Sequence, residues 1–338
     1  MREVYRNVND LVKYDLDIEL FNRFDLEVYD IYPLRSIFIV STSKGDKILK
    51  KVDYGKEDLL FIHEGLSYIR DKFNRVMNFV RTVDGNIYAL WQDEMYCMID
   101  IIEGRESDYS NPLDLIAMTK GLAELHVAST GFDRHLKSRF KLGQMINKFY
   151  RCLKEIEVFK NIAEINEGEG EFNEIFLCRV EHYIEEVKKS INLLEASPYY
   201  KLCEDKNKIA LCHHDLAYHN IILKNNEAYF IDFDYSIVDL KVHDICNFMN
   251  KVLKSSAYDI EQGKIILKEY GQINEIDSRE MAVLYGVLTF PQDFYSISRD
   301  YYTRRKDWTE ESFINKLKKK TEIEEFRIEF LKEFEGLL

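Results

Sequence analysis

Residues 212–234, with the sequence CHHDLAYHNIILKNNEAYFIDFD, constrain the fold of this 338-residue chain more than any other stretch. Two short apolar runs are joined by a Lys-Asn-Asn segment, and polar residues stand at the outer ends of both runs. Apolar runs around an Asn-containing turn predict a β-hairpin. The stretch therefore predicts a hairpin with Asp215 and Asn220 before it and Asp232 after it.

The spacing of these polar residues is typical of phosphoryl transfer. Asn220 lies five positions after Asp215, as in the H-R-D-x-x-x-x-N loop of protein kinases, and Asp232 then ends an aromatic strand. This chemistry needs one carboxylate that orients and deprotonates the attacking hydroxyl. It also needs an amide oxygen and a second carboxylate that hold the magnesium bridging the nucleotide phosphates. A lone H-x-D motif has little meaning, but the combined pattern favours a phosphotransferase over a polar structural hairpin.

The charge balance and the cysteines limit the partners and the compartment. Acidic residues number 60 and basic residues 47, so the formal net charge is −13. No excess of Lys and Arg is available to neutralise phosphates, which argues against nucleic acid as the main partner. The six cysteines show no zinc or C-x-x-C spacing and indicate a reducing compartment. Without a signal peptide or an apolar run of about eighteen residues, we expect a cytoplasmic protein that does not span a membrane.

The first fifty residues predict a helix followed by a hairpin-rich sheet. In residues 1–24, after Asn9 as the expected cap, apolar residues recur at helical spacing at Leu11, Val12, Leu16, Ile18, Leu20 and Phe21. From residue 26 to 52 the period shifts toward two, which predicts three strands with a turn at residues 43–46. The third strand carries two neighbouring lysines whose side chains face opposite sides. A kinase-type third strand supplies a lysine to the nucleotide phosphates; we favour Lys50, with Lys51 as the alternative.

The next element predicts an amphipathic helix from residue 54 to 73. In a kinase this helix offers a glutamate to the strand lysine, and Glu64 is favoured over Glu57 for that role. Either residue could equally be a solvated surface glutamate. No G-x-G-x-x-G motif precedes the helix, so the turn that contains Arg35 would have to cover the nucleotide.

Residues 76–103 alternate again and complete a small antiparallel sheet. Its last strand leads into the segment where a two-lobed kinase has its hinge, and we expect the backbone of Ile101 and Ile102 to bind the adenine. Gly104 and the polar run that follows it indicate a domain boundary. The predicted fold is therefore α+β and two-lobed, with a small antiparallel β N-lobe (1–103) and a large, mostly helical C-lobe (104–338).

Several residues of the C-lobe have a structural interpretation. Asn111 and Pro112 are expected to cap and begin a strong helix, and His126 on that helix is interpreted as a packing residue. Asp244 is expected to cap the helix that follows the hairpin, to brace the catalytic loop from below, or both. The basic-aromatic stretch 301–308 is interpreted as structure, with binding of an acidic partner as the alternative.

Beyond these individual patterns, the chain resembles a known family over residues 25–330. It is similar to the aminoglycoside phosphotransferase and choline kinase-like superfamily and, within it, to CotS-type spore coat proteins of spore-forming bacteria. The motifs that carry the resemblance are, in chain order, I-L-K, I-I-E-G-R-E, L-A-E-L-H, H-x-D-L-x-x-x-N, I-D-F-D, T-F-P-Q-D-F and K-D-W-T-E-E-S-F. The resemblance implies a protein kinase-like fold and an ATP- and magnesium-dependent phosphotransferase.

The resemblance also implies roles for individual residues. Asp215 becomes the general base, and Lys50 becomes the lysine that contacts the phosphates. The expected magnesium ligands are Asn220 and Asp232, with Asp234 as a further acidic group near the metal. His213 and Asp244 are expected to support the catalytic loop.

One departure from the superfamily concerns the acceptor site. Many relatives have H-G-D where this chain has His213-His214-Asp215, so a ring replaces a glycine beside the catalytic aspartate. We expect His214 to narrow or reshape the site of the acceptor. The acceptor itself, a hydroxyl of a small molecule or glycan, is not identified by any motif.

Two other interpretations remain open at this point. The chain could be a structural or assembly component of a spore coat, with other coat proteins as partners, that keeps the kinase fold without catalysis. Less favourably, His213, His214 and His219 could form a transition-metal site, although their crowding into one turn makes joint ligation awkward.

Overall fold

The computed structural model describes residues 11, 14–133, 136–166, 168 and 170–338. Its N-terminal part is built on an antiparallel sheet, and the remainder is mostly helical. The sheet contains β1 (Val28–Leu34), β2 (Ile37–Thr42), β3 (Lys47–Val52), β4 (Phe79–Val80), β5 (Ala89–Trp91) and β6 (Glu94–Asp100). The strand order is β1-β2-β3-β6-β4, and β5 pairs with β6 beside this path.

The two faces of this sheet pack against different elements. Along β6, Tyr96 and Met98 join a core with the N-terminal segment and the short helix α1 (Ile18–Asn22). The alternate residues Cys97 and Ile99 join the main core with helix α2 (Lys56–Arg70). Successive strand residues point to opposite faces, so both faces of the sheet are covered.

The predicted N-terminal helix is interrupted within the described residues. In the described part of residues 1–24, helix is found at Leu11 and over α1, with a turn between them. Asp15 takes a left-handed φ of 55°, and the Asp17 side chain accepts a hydrogen bond from the Glu19 amide, so a new helix begins there. The expected Asn9 cap and Val12 lie outside the described residues.

The helical part contains two further small sheets and ten of the described α-helices. Strands β7 (Arg105–Glu106), β9 (Ile221–Lys224) and β10 (Glu227–Phe230) form one sheet, and β8 (Ile209–Cys212) pairs with β11 (Ile237–Leu240). The helices are α3 (Pro112–Ser129), α4 (Met145–Ile165), α5 (Glu171–Ala196), α6 (Tyr199–Cys203), α7 (Lys241–Ser255), α8 (Ile260–Gly271), α9 (Ser278–Thr289), α10 (Gln292–Tyr302), α11 (Glu310–Glu322) and α12 (Glu324–Glu335).

The predicted hairpin is formed by β9 and β10. Asn225 and Asn226 at its turn have φ values of 53° and 63°, which a type I′ turn requires and asparagine tolerates. The strands then pair in register from Lys224 opposite Glu227 to Ile221 opposite Phe230. This pairing fixes the positions of the residues on either side of the hairpin.

Helix α3 forms the centre of the C-terminal core. Asn111 caps it through a hydrogen bond to the Leu113 amide, and Pro112 occupies its first turn, as predicted. Leu115, Met118 and Leu122 are fully buried at helical spacing. The predicted basic-aromatic stretch is partly internal, since Tyr301 stacks on Phe172 with ring centroids 3.6 Å apart.

Candidate active site

Asp215 lies in the loop that connects β8 with β9. One of its carboxylate oxygens lies 2.8 Å from the Lys251 ammonium, and the other accepts a hydrogen bond from the Asn220 side-chain amide at 3.1 Å. The same amide donates to the Asp215 carbonyl at 3.0 Å. Burial raises the pKa of Asp215, but the hydrogen bond and charge of Lys251 outweigh this, so the pKa lies below its ordinary value. Asp215 is therefore ionised at neutral pH.

Asp244, in the first turn of α7, holds this loop from below. Its carboxylate accepts the backbone N–H of His213 at 2.6 Å and that of His214 at 2.8 Å. His126 adds a third contact, with Nε2 at 3.2 Å from the same carboxylate. Burial raises the pKa of Asp244, yet the hydrogen bond and charge of His126 and the bonds from the loop lower it to about 2. The fully buried carboxylate thus stays charged and fully bonded.

His213 connects the loop to the far end of the hairpin. Its Nε2 donates to the Ile231 carbonyl at 2.9 Å, and its Nδ1 accepts from the Asp215 amide at 3.3 Å. These partners place the proton on Nε2. The ring also packs against Phe233, with centroids 4.5 Å apart. His213 thereby fixes Asp215 relative to the strand end that carries Asp232.

Lys50 of β3 extends into this region and contacts two carboxylates. Its ammonium lies 2.6 Å from Asp232 Oδ1 and 2.7 Å from Asp234 Oδ2. The Tyr54 hydroxyl donates to the other oxygen of Asp234 at 2.9 Å. Burial lowers the pKa of Lys50, but the charges of Asp234 and Asp232 outweigh it and raise that pKa. The charge of Lys50 lowers the pKa of Asp234, but burial outweighs it and raises that pKa.

The oxygens around Asp232 fit a divalent cation. The Ile231 amide donates to the Asn220 carbonyl at 3.0 Å, so Asn220 lies beside residue 232. Carboxylate and amide oxygens are hard ligands of the kind Mg²⁺ prefers. The single charge of Lys50 leaves one of the two neighbouring carboxylates uncompensated. Asn220, Asp232 and Asp234 are therefore the residues that could hold the metal.

The structure distinguishes Lys50 from Lys51 by their carboxylate partners. Lys51 pairs with Glu94 at 3.0 Å, whereas Lys50, within the described part of the chain, pairs with the carboxylates of Asp232 and Asp234. The role of Glu64 as a partner of the strand lysine stays a prediction. Glu57 is exposed in the first turn of α2.

Arg139 is a site residue that sequence reasoning missed. Its guanidinium donates to Asp58 of α2 at 2.6 Å and to the backbone carbonyls of Asp234 and Ser236. It therefore ties α2 to the segment that follows Asp234. No local pattern distinguishes Arg139 from other arginines, because its partners lie far from it in sequence.

Lys251 was also missed, although a signal for it existed. It lies seven positions, about two helical turns, after Asp244 on α7. That spacing places both side chains on one face of the helix, directed at the loop. The sequence thus contained a signal for a cation opposite Asp215.

The structure places His214 near Lys50, and its expected effect on the acceptor site stays a prediction. It lines a cavity of about 970 Å³ together with Lys50, Asp232 and Asp234, and its ring packs edge-on against His243 at 4.8 Å. Burial and the neighbouring His243 lower the pKa of His214 to about 3. Its backbone has a φ of 66°, a region that favours glycine and costs a histidine strain. The ring therefore shapes the space near Lys50 and not the Lys251 side of Asp215.

Ile101 and Ile102 lie in the irregular segment between β6 and β7 and are half-buried. Gly104 allows this segment to lie close to the hairpin. A Cβ at that position would lie 2.5 Å from Ile222 Cγ2 and 2.6 Å from the Leu223 carbonyl oxygen. Only glycine allows this contact. Adenine binding by the segment stays a prediction.

The transition-metal interpretation is not supported in the described chain. The group of side chains that could share an ion is His126, Cys212 and Asp244, and it does not include His213, His214 and His219 together. Burial raises the pKa of the Cys212 thiol well above its usual range, which disfavours the thiolate that metals bind. The group is better explained as the hydrogen-bonded support of the loop.

Comparison with known proteins decides the family. Residues 19–334 match the family described as "Spore coat putative kinase YutH". The chain belongs to this YutH family. Spore coat protein S of Bacillus subtilis (strain 168) is 24% identical to it over 303 residues, which cover 88% of this chain and 86% of that protein.

Solved structures show the fold of this YutH-family chain. An aminoglycoside phosphotransferase from Alicyclobacillus acidocaldarius has a TM-score of 0.82 at 16% identity, covering 95% of this chain and 96% of its own. Spectinomycin phosphotransferase APH(9)-Ia, in complex with ADP and spectinomycin, has a TM-score of 0.66 at 15% identity, covering 93% and 96%. The predicted two-lobed kinase-like fold is confirmed, and aminoglycoside phosphotransferases and a choline kinase are among its structural neighbours. In the described part of this YutH-family chain, no helix has the length and apolarity needed to cross a membrane.

Proposed function

We propose that this YutH-family protein is an ATP- and magnesium-dependent phosphotransferase that phosphorylates a hydroxyl group of a small molecule or glycan. The observation that carries the proposal is the convergence of Lys50 on Asp232 and Asp234, next to the Asp215–Asn220 pair. These are the groups that phosphoryl transfer requires, and a purely structural chain has no need for them.

Each residue has a task that follows from its contacts. Asp215, ionised and held by Asn220 and His213, orients the acceptor hydroxyl and takes its proton late in the transfer. The Lys50 ammonium neutralises charge on the nucleotide phosphates. When bound by Asn220, Asp232 and Asp234, magnesium would neutralise the developing charge on the phosphate oxygens.

The nucleotide is proposed to lie between the N-lobe (1–103) and the C-lobe (104–338). Its phosphates would lie at Lys50, and the adenine would contact the backbone at Ile101 and Ile102. The related fold of APH(9)-Ia, solved with ADP, supports a nucleotide in this family of folds. The half-buried, irregular backbone at 101–102 is compatible with backbone recognition of a base.

The family and its relative in Bacillus subtilis support a role in the spore coat. We infer that the protein acts in the cytoplasm and is then incorporated into the coat, with other coat proteins as partners. The same relatives favour one competing function, a non-catalytic coat component that keeps the kinase fold. The complete set of catalytic groups favours activity over this alternative.

ADP release in the presence of hydroxyl acceptors tests the proposal. Purified protein with ATP and Mg²⁺ is expected to release ADP faster when a panel of sugars and amino alcohols is added. The stimulating acceptor should gain the mass of one phosphoryl group. If no acceptor gains a phosphoryl group and neither ATP nor ADP binds, the non-catalytic alternative replaces the proposal.

A further inference from the structure

A second cavity, of about 800 Å³, opens on the Lys251 side of Asp215. Its walls come from residues 107–110, from Tyr218 in the catalytic loop, and from helices α7, α10 and α11. Five lysines line it, and we call it the lysine cavity: Lys251, Lys254, Lys316, Lys319 and Lys320. Because Lys251 contacts the Asp215 carboxylate, a molecule in this cavity lies next to the proposed base.

The lysines reach the cavity because of their spacing on two helices. Lys251 and Lys254 are three residues apart on α7, while Lys316, Lys319 and Lys320 follow at three and four residues on α11. Side chains at these separations share one helix face. Helices α7 and α11 thus both direct lysine side chains into the lysine cavity.

Carboxylates in the cavity compensate only part of this charge. Asp293 lies 2.7 Å from the Lys254 ammonium and 3.1 Å from that of Lys320. Burial raises the pKa of Asp293, but the two lysines outweigh it and lower that pKa, so Asp293 is charged. The other lining carboxylate, Asp108, is engaged by the backbone and side chain of Ser110.

Lys251 pairs with Asp215 at 2.8 Å, and the two remaining cations lack such carboxylate partners among the described residues. The Lys316 ammonium lies over the Trp308 ring at 4.5 Å, and Lys319 is exposed. In the part of the chain that the structure describes, neither is paired with a carboxylate. The cavity is therefore positive on a protein whose net charge is −13. A local potential opposite to that of the whole protein concentrates anions and repels cations.

From this charge distribution we infer that the phosphate acceptor is an anionic hydroxyl compound, such as a sugar that carries a phosphate or a carboxylate. The inference rests on the proposed function, since it names the substrate class of the same site. The lysines bind the anionic group, while the exposed Tyr218 ring, edge-on to Tyr109 at 6.1 Å, offers an apolar face to the rest of the molecule.

The anionic group of the acceptor does not change the phosphoryl transfer step. The bond between the acceptor oxygen and the γ-phosphorus of ATP forms while the bond to the β,γ-bridging oxygen breaks. The acceptor proton passes to Asp215, and ADP leaves. The anionic group takes no part in bond making and serves to hold the acceptor.

Calorimetric titration of sugars of different charge tests the inference without turnover. The protein is first saturated with Mg²⁺ and ADP, so that added phosphate groups do not occupy the nucleotide site. Glucose, glucose 6-phosphate, glucuronate and glucosamine are then titrated in parallel. We expect one or both anionic sugars to bind at least about tenfold more tightly than glucose, with glucosamine weakest, and this preference should fall with rising salt.

Lysine-to-glutamine variants test whether the lysine cavity causes the preference for anionic sugars. The double variant Lys316→Gln/Lys319→Gln should lose most of the difference between anionic and neutral sugars. The control Lys318→Gln, on the same helix but paired with Glu171 outside the cavity, should keep it. Equal binding of all four sugars, or a preference that survives in the double variant, overturns the inference. Failure of ADP to bind would instead count against the proposed function, and the sugar titrations would still report on the cavity.

Discussion

Turnover of the variant Asp215→Asn is expected to fall by about 10²–10⁴-fold, because the amide cannot take the acceptor proton. Asparagine keeps the shape of the side chain and an oxygen for Lys251, so the loop should stay folded. Affinity for Mg²⁺ and ATP should change little, since Lys50, Asp232 and Asp234 are untouched. The measurement is kcat for acceptor phosphorylation, together with the Kd of ATP.

The matched control is Asp205→Asn, which changes an aspartate that lies outside the loop and contacts Arg279 at 3.4 Å. Asparagine serves as well as aspartate at the cap position that Asp205 occupies. This control should retain full turnover. Wild-type turnover in Asp215→Asn would show that another group takes the proton, and the role given to Asp215 would be wrong.

Asp244→Ala is expected to lower the free energy of unfolding by about 3–5 kcal/mol, the usual loss when one partner of a buried charged contact is removed. The substitution removes the carboxylate that contacts the amides of His213 and His214 and the His126 ring in the protein interior. Because these amides begin the loop that holds Asp215, activity should fall even in molecules that remain folded. Chemical denaturation gives the stability, and hydrogen exchange of the two amides reports the loop.

Two companion variants make this test specific. Asp244→Asn keeps the shape and one accepting oxygen, so it should lose less stability than alanine, about 1–3 kcal/mol. Asp259→Ala removes an exposed aspartate that accepts the Glu261 amide at the start of α8, and it should cost about 1 kcal/mol with normal activity. Equal stability losses for Asp244→Ala and Asp259→Ala would contradict the bracing role of Asp244.

The parts of the site that sequence could predict are those fixed by local spacing. The hairpin places Asn220 and Asp232 at its two ends, and the strand period of two separates Lys50 from Lys51. Asp244 was expected to cap the helix that follows the hairpin, to brace the loop, or both. The cap is Leu240, and Asp244 lies in the first turn, where its carboxylate accepts the loop amides. These relationships depend on residues close together in the chain.

Contacts between distant segments were the ones that escaped prediction. Arg139 contacts Asp58 and the backbone carbonyl of Asp234. No sequence pattern near Arg139 predicts these contacts. The pairing of Lys50 with Asp232 and Asp234 depends on how the sheet and the hairpin meet, which local spacing does not specify. The break before α1 depends on the left-handed turn at Asp15, a conformation that propensity rarely predicts.

The most direct test of the central claim is ATP binding with and without Mg²⁺, measured by thermal shift on wild type and on Asp232→Ala. The account predicts that ATP with Mg²⁺ raises the Tm of the wild-type protein well above the shift given by ATP alone, and that Asp232→Ala loses this magnesium-dependent gain. No shift in the wild type, or a magnesium-dependent shift that persists in Asp232→Ala, would contradict the account.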